Sequence, residues 1–354
     1  MNLIFPETIK NSERWKAPIN RLGSIKLDLN ENVGIFDNKF IEKFRDFNST
    51  ILNCYPEYDA FLKQLSEYTN QPTKNIVLIN GGDQGIDVAL YLLFDKNSKV
   101  VLPSPIFSMY DHVLGIIGCL VAHVPYIDKE SYFEFPFEQT LKELPDSQGL
   151  ILCNPNNPLG YSIEKEKLLL LLDKTQELNI PCILDEAYFE YYGKTCADQL
   201  TKYRNLIIIR TFSKVFGLAG LRLGYILAND YVCKELLKIR GPWDVNHFAI
   251  FVGGIILKDK KYFLQQMESF KARKKVIMKL FQNKKLTVYD TSTNFLVVRN
   301  ENIKKMVNQL KEDGILISDI SDYPFSFDLL KNLARIAIPS ENDLPILEKA
   351  LSKL

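Results

Sequence analysis

The chain has 354 residues, of which 44 are basic and 43 acidic, and 46% are hydrophobic. Its formal charge of +1 offers no electrostatic field for a nucleic acid or a membrane surface, and its length suffices for a large domain and a smaller one. No apolar run approaches the roughly 18 residues of a membrane span, and no N-terminal signal is evident. The six cysteines show no C-x-x-C spacing and the three histidines form no cluster, so we predict reduced thiols, a cytoplasmic protein and no metal.

Short apolar segments alternate with amphipathic ones in the first two thirds of the chain, which is typical of β–α units in a mostly parallel sheet. Helices are predicted near 84–95, 107–117, 163–178 and 230–240. The strands are predicted at 76–80, 98–102, 119–124, 148–153, 181–184, 205–210 and 223–228. This pattern predicts an α/β fold whose ligands bind at the carboxyl ends of the strands.

The first strand is followed by a glycine-rich turn, Asn80-Gly81-Gly82-Asp83-Gln84, that opens a helical run. A turn of this kind presents backbone N–H groups and the positive end of a helix dipole, where a phosphate binds. Glycine-rich turns are common, so this signal is weak when taken alone. Phe107, after the second strand, could stack on a ligand ring, although such an aromatic is more often part of the core.

Polar side chains also follow the fourth and fifth predicted strands. Asn157 lies in the turn Asn154–Gly160, and Asp185 and Tyr188 come directly after the strand at 181–184. A carboxylate at a strand end can pair with a protonated pyridine nitrogen and keep the ring an electron sink. An aspartate in this position could equally be a helix cap or a turn residue.

Lys214 lies among groups that suit a phosphorylated aldehyde. Its amine can form a Schiff base with such a cofactor, and the hydroxyls of Thr211 and Ser213 with the guanidinium of Arg222 suit a phosphate dianion. A lone lysine is far more often a solvated surface residue. The preceding motifs, each supplying a different part of one site in chain order, favour the functional interpretation.

Taken in order, these motifs resemble the class I/II pyridoxal-phosphate-dependent aminotransferases of fold type I, and within them the histidinol-phosphate aminotransferase group, from about Leu27 to the C-terminus. The resemblance implies pyridoxal phosphate as cofactor and a large domain, residues 35–245, with a mostly parallel seven-stranded sheet. A long helical stretch from about Asp244 precedes strands near 286–289, 295–299, 314–318 and 334–338 and helices near 301–313 and 341–353. These elements suggest a small α+β domain made of residues 1–34 and 246–354.

Residue by residue, the resemblance implies that Lys214 holds the cofactor covalently, Asp185 pairs with its pyridine nitrogen, and Asn157 and Tyr188 contact its phenolic oxygen. Tyr55 is implied to reach the cofactor phosphate of a neighbouring subunit, which makes the active unit a homodimer. The remaining implied cofactor contacts are Gly82, Asp83, Gln84, Phe107, Thr211, Ser213 and Arg222.

The substrate residues implied by the resemblance are Arg335 and Asn32. Arg335 would hold the carboxylate of the amino donor or the phosphate of the acceptor, since a planar guanidinium grips either anion. Asn32 belongs to a partial match in which Val33 replaces a proline, and Ser318 stands where histidinol-phosphate enzymes place a second arginine. A smaller phosphorylated ketone or a 2-oxo acid therefore fits about as well as histidinol phosphate.

The expected activity is transfer of an amino group from an amino acid, L-glutamate, to a small phosphorylated carbonyl acceptor. The alternative is decarboxylation of an O-phosphorylated amino acid, which would use the same Lys214 and Asp185 because protein geometry selects the Cα bond that breaks. A non-catalytic use of the fold is disfavoured, because Lys214, Asp185, Asn157, Tyr188 and Arg222 are all present.

Overall fold

The computed structural model describes residues 3, 5–14 and 17–353, with the side chains of residues 260 and 264 outside the description. Its centre is a seven-stranded sheet in which neighbouring strands pair in parallel, except that Gly224–Ala228 runs antiparallel to both of its neighbours. Across the sheet the order is Ile76–Ile79, Gly224–Ala228, Leu206–Thr211, Cys182–Asp185, Gly149–Cys153, Lys99–Ser104 and Leu120–Pro125. The predicted mostly parallel seven-stranded α/β sheet is confirmed.

Both faces of this sheet are covered, which explains why its strands are nearly continuous apolar runs. In the inner strand Leu206–Thr211 every residue is buried. Ile207 and Ile209 pack in one core cluster, whereas Ile208 packs in the cluster on the opposite face, as the two-residue repeat of a strand requires.

Three helices cover the sheet face that carries Ile207 and Ile209: Gly81–Leu93, Met109–Ile117 and Asp230–Ile239. The helix Lys165–Glu177 covers the opposite face, which carries Ile208. The predicted helical stretch after residue 244 is two helices that meet at Asp259, whose side chain accepts a hydrogen bond from the backbone N–H of Tyr262. The remaining helices are Glu7–Asn11, Asn38–Glu42, Asp59–Thr69, Phe137–Glu143, Phe189–Tyr192, His247–Lys258, Lys260–Asn283, Ile303–Glu312 and Leu344–Ser352. Among the residues that the structure describes, none of the helices is long and apolar enough to cross a membrane.

A second, antiparallel sheet has the strand order Thr287–Tyr289, Phe295–Arg299, Leu333–Ala337 and Ser318–Asp319. The single strand predicted at 314–318 is two short strands with different partners. Ile315–Leu316 pairs in parallel with Ile25–Lys26, which ties the N-terminal segment to this part of the chain, and Ile127–Asp128 forms a small hairpin with Phe133–Glu134.

The predicted domain boundary at 245/246 stays a prediction. The first helix beyond it, His247–Lys258, contributes Val252 and Ile256 to the same core cluster as Ile208 of the large sheet. This helix therefore packs with the elements that precede the boundary.

Candidate active site

A cavity of about 510 Å³ lies where the parallel strands of the large sheet end. Its walls come from the residues that follow five of these strands and from the two ends of the chain, as expected for an open α/β sheet. The sequence-predicted residues in its lining are Gly82, Asp83, Phe107, Asn157, Asp185, Tyr188, Thr211, Ser213, Lys214, Arg222 and Arg335. The fold thus brings together residues that are spread over about 250 positions of the sequence.

Lys214 enters the cavity just after the strand Leu206–Thr211, and its Nζ lies 3.2 Å from the backbone oxygen of Leu29. Burial and, to a smaller extent, the positive charge of Arg335 lower the pKa of this amine to about 8, against the opposing effect of nearby carboxylates. Near neutral pH the neutral, nucleophilic form is therefore far more populated than that of an ordinary lysine.

Asp185 ends the strand Cys182–Asp185 and is only 5% exposed. Its carboxylate accepts hydrogen bonds from the Tyr110 hydroxyl at 3.0 Å and from the backbone N–H of Ala187 at 2.9 Å. Burial nevertheless raises its pKa to about 6, because those two bonds offset only part of the cost of desolvating the charge. The site thus holds a desolvated carboxylate that a cationic ligand group would stabilise.

One end of the cavity is built for an anion. The helix Gly81–Leu93 starts there, and Gly81 has a left-handed backbone, φ +78°, at a point where a Cβ atom would collide with the guanidinium of Arg222. The Thr211 hydroxyl lies 2.9 Å from that of Ser213, and both side chains are buried. Backbone N–H groups at the helix start, two hydroxyls and a guanidinium form the phosphate cup, defined as Gly82, Thr211, Ser213 and Arg222.

Two further hydrogen-bonded groups of polar side chains line the cavity. Arg335, 7% exposed, donates to the Asn157 side-chain oxygen at 2.6 Å and to the backbone oxygen of Asp28 at 2.8 Å. Because a guanidinium only donates, this bond directs the Asn157 NH₂ group elsewhere. The buried Tyr188 hydroxyl accepts from the Asn30 amide at 2.8 Å, and burial raises its pKa above the usual range.

The cations that line the cavity are not equally available to a ligand. Arg210 is bound to the buried carboxylate of Glu186 by two hydrogen bonds of 2.7 and 2.9 Å. Arg222 is paired with Asp83 at 2.8 Å beside the phosphate cup. Arg335 lacks a carboxylate partner among the described residues, and its buried Nε has no hydrogen-bond partner there. Arg335 is therefore the guanidinium best placed to bind a substrate anion.

Three of the predicted residues do not line the cavity. Gln84 points away, its amide donating to Asp244 at 2.7 Å, and Asn32 donates to the backbone oxygen of Val215 at 2.8 Å. Tyr55 is 71% exposed on the surface of its own chain. The roles assigned to these three from the sequence stay predictions.

Sequence reasoning missed several residues of the site, among them Tyr110, which binds Asp185, Asn30, which binds Tyr188, and Asp322 and Tyr323 in the lining. Tyr110 lies three residues after Phe107, a spacing that places both near the start of one helix, and that spacing was the available signal. Asn30 belongs to the partial Asn30-Glu31-Asn32 match.

The residues present fit the pyridoxal phosphate that the resemblance implies. The phosphate cup would hold its phosphate, and the desolvated carboxylate of Asp185 would accept a hydrogen bond from a protonated pyridine nitrogen. Phe107 offers an aromatic wall and Lys214 a neutral amine for the aldehyde. Each functional group of the cofactor has a chemically matched partner in one cavity.

Comparison with known proteins gives a family match over nearly the whole chain. The family model for aminotransferases of class I and II matches residues 24–353. The chain is 32% identical over 348 residues to a histidinol-phosphate aminotransferase of Clostridium novyi, covering 95% of this chain and 93% of that protein. It is 34% identical to histidinol-phosphate aminotransferase 1 of Carboxydothermus hydrogenoformans, with 90% of each chain covered.

Among solved structures, the chain resembles the histidinol-phosphate aminotransferase of Sinorhizobium meliloti in complex with pyridoxal-5′-phosphate. The TM-score is 0.88, with 99% of this chain and 96% of that chain covered, at 21% sequence identity. At this level of identity the likeness concerns the fold, and it agrees with the predicted fold type.

Proposed function

We propose residue roles, a substrate class and an assembly for this chain, which belongs to the class I and II aminotransferases and is a pyridoxal-phosphate-dependent enzyme. Its amino donor is L-glutamate and its acceptor a small phosphorylated carbonyl compound. The names of its relatives make the histidinol phosphate pair the first to assay. The observation that carries the proposal is the presence, in one cavity, of an amine with a depressed pKa and a buried guanidinium that has no carboxylate partner in the described part of the chain.

Bound pyridoxal phosphate supplies an electron-withdrawing ring that stabilises negative charge at the Cα of an attached amino acid. Lys214 would hold the cofactor, and its released Nζ would take the proton from the donor Cα. A pKa of about 8 suits this task, since the amine is neutral far more often near neutral pH than an ordinary lysine yet can still carry a proton back.

The other residues orient the reactants. Asp185 keeps the pyridine nitrogen protonated, and Asn157 and Tyr188 bind the phenolic oxygen. The free NH₂ group of Asn157 supports this role, because its oxygen is already occupied by Arg335. Arg335 binds the carboxylate of the donor and then the anionic end of the acceptor, so one guanidinium serves both half-reactions.

The visible spectrum of the protein loaded with pyridoxal phosphate tests this function. Addition of L-glutamate should remove the absorbance band of the lysine-bound cofactor and produce that of the pyridoxamine form. Phosphorylated carbonyl compounds should then reverse the change. Carbon dioxide release from an O-phosphorylated amino acid, with a spectrum unchanged by L-glutamate, would instead support the decarboxylase alternative.

A homodimer is part of the proposal, with Tyr55 acting in the neighbouring site. In the single chain the Tyr55 ring stacks on Trp243 with centroids 4.1 Å apart, and Leu52 nearby in sequence is also exposed. Exposed aromatic and aliphatic side chains of this kind are typical of an interface between subunits. Sedimentation of the purified protein would test the assembly.

A cytoplasmic location is also proposed. All six cysteines are free thiols, and four of them, Cys153, Cys182, Cys196 and Cys233, are buried. Unpaired thiols are usual in a reducing compartment. Fractionation of cells that produce the protein would test this location.

A further inference from the structure

The loop of residues 320–332 forms one wall of the cavity. It connects Ser318–Asp319 to Leu333–Ala337, and Asp322, Tyr323 and Pro324 line the cavity. It belongs to the small antiparallel sheet, and its ends are joined to the large sheet by Ile320 and Leu330, which share a core cluster with Ile208.

The backbone of this loop is unusual. Phe325, Phe327 and Asp328 have left-handed φ angles of 50°, 51° and 63°. This region is disfavoured for bulky side chains and persists where surrounding contacts hold the chain in place. Buried Ile320 and Leu330 hold the two ends of the loop, and contacts of its exposed middle part hold the left-handed residues in place.

One of these contacts is made with the large sheet. The Phe325 ring stacks on His123 of the strand Leu120–Pro125, with centroids 3.8 Å apart and planes 14° from parallel. One side of the His123 ring is held by a hydrogen bond, since its Nδ1 lies 2.8 Å from the Ser104 hydroxyl, and its Nε2 faces the Asp111 carboxylate at 3.6 Å, beyond hydrogen-bond distance. The imidazole therefore offers the Phe325 ring a packing surface with a fixed orientation.

A second contact joins the same loop to the cavity wall. The Tyr323 hydroxyl accepts a hydrogen bond of 3.0 Å from the backbone N–H of Ser108, the residue after Phe107 in the cavity wall. Only Pro324 lies between the stacked Phe325 and Tyr323, whose side chain lines the cavity. Movement of Phe325 would carry Tyr323 and Asp322 with it.

We propose that Phe325 and His123, neither of which lines the cavity, are positioning residues for substrate binding. Their stack holds the loop where Asp322 and Tyr323 complete the substrate wall. The inference rests on the proposed function, because it requires both substrates to occupy this cavity. The groups that hold the cofactor come from the ends of the large-sheet strands, so weakening the stack should affect substrate affinity and leave cofactor affinity unchanged.

Phe325→Ala tests the proposal, with Phe327→Ala as the matched control. Phe327 lies in the same loop and has the same left-handed backbone and similar exposure, but its ring meets His123 only edge-on at 6.4 Å. In the half-reaction with L-glutamate, the apparent Kd of Phe325→Ala should rise roughly twofold to twelvefold, which is the contribution of an aromatic pair. The limiting rate and the Kd for pyridoxal phosphate should stay at the wild-type values, and Phe327→Ala should have the smaller effect on each measurement.

Two further measurements separate positioning from a general loss of stability. His123→Ala should weaken L-glutamate binding, and adding Phe325→Ala to it should cause no further loss, because the partner ring is already gone. Hydrogen exchange of residues 320–332 should be faster in Phe325→Ala than in Phe327→Ala.

The outcomes distinguish this inference from the function on which it rests. A wild-type protein that reacts with no amino donor would overturn the proposed function, and the inference with it. A wild-type protein that reacts with L-glutamate, while Phe325→Ala keeps both its Kd and its hydrogen exchange, would overturn the inference alone.

Discussion

Replacing Asp185 by asparagine should stabilise the protein without cofactor and weaken its binding of pyridoxal phosphate. In the folded chain burial raises the pKa of this carboxyl from 3.8 to about 6, so folding favours its neutral form. The folded state therefore retains a proton that the unfolded chain loses, and the stability contributed by Asp185 falls as pH rises through about 6. The difference corresponds to about 3 kcal/mol of stability missing above pH 7.

Asparagine has the same shape and no charge to desolvate, so the variant should recover this free energy. For a chain of this length, 3 kcal/mol corresponds to a rise of about 4 °C in Tm. The gain should be roughly half as large at pH 5, where the wild-type carboxyl is mostly protonated in the folded state. Thermal melting of the apoprotein at pH 5 and pH 8 measures both values.

Asp173→Asn is the matched control, since Asp173 also accepts a hydrogen bond from a tyrosine, Tyr203 at 2.8 Å, but is half exposed and paired with Lys202. Its pKa is lowered by the hydrogen bond from Lys202, so its removal should give no gain in Tm. Asp185→Asn should also weaken cofactor binding roughly tenfold to a hundredfold, the value of a hydrogen bond to a charged group. An Asp185→Asn apoprotein that melts with the wild type at pH 8 would refute the reasoning.

Four further outcomes are expected. Lys214→Ala should lose the absorbance band of the lysine-bound cofactor and all amino-group exchange, yet keep the circular dichroism of the wild type. In the wild type, covalent attachment of pyridoxal phosphate should accelerate with pH around a midpoint of about 8, because the depressed pKa of Lys214 sets its neutral fraction; a midpoint near that of a free lysine would contradict the assignment. Arg335→Lys should lower kcat/KM for the acceptor roughly tenfold to a hundredfold in steady-state kinetics, which corresponds to a loss of about 1.5–3 kcal/mol of transition-state stabilisation. Tyr110→Phe should raise the pKa of Asp185 and move the acid limb of cofactor binding to higher pH, which a titration of binding against pH would detect.

The strands of the large sheet could be predicted from sequence because each is buried on both faces and therefore reads as an apolar run between turns. The grouping of the cofactor motifs could be predicted too, since parallel strands end at one edge of the sheet and bring together the residues that follow them. Which strands pair with each other was harder to predict from the sequence. The stretch Gly314–Ser318 has one apolar pattern, yet Ile315–Leu316 pairs with the N-terminal segment and Ser318–Asp319 with Leu333–Ala337.

The position of Asn32 shows how a single backbone angle can make a prediction from side-chain alternation fail. Residues 30 and 32 would share a face if the chain were extended through them, so either amide could reach the site. Asn30 has a left-handed backbone, φ 56°, which breaks the alternation. Its amide consequently reaches Tyr188, while that of Asn32 turns to the backbone of Val215. Asparagine tolerates this conformation better than most residues, but the sequence does not say which of the two asparagines adopts it.

The electrostatic state of the site was the least predictable feature, because it depends on burial and on partners distant in sequence. Asp185 could be recognised as a carboxylate at a strand end, but its pKa depends on desolvation and on Tyr110, 75 residues earlier. The pKa of the Lys214 amine likewise depends on burial and on Arg335, 121 residues later in the chain, whose positive charge lowers it. Sequence motifs therefore predicted which groups meet, whereas the folded cavity determines their protonation and so their suitability for moving a proton.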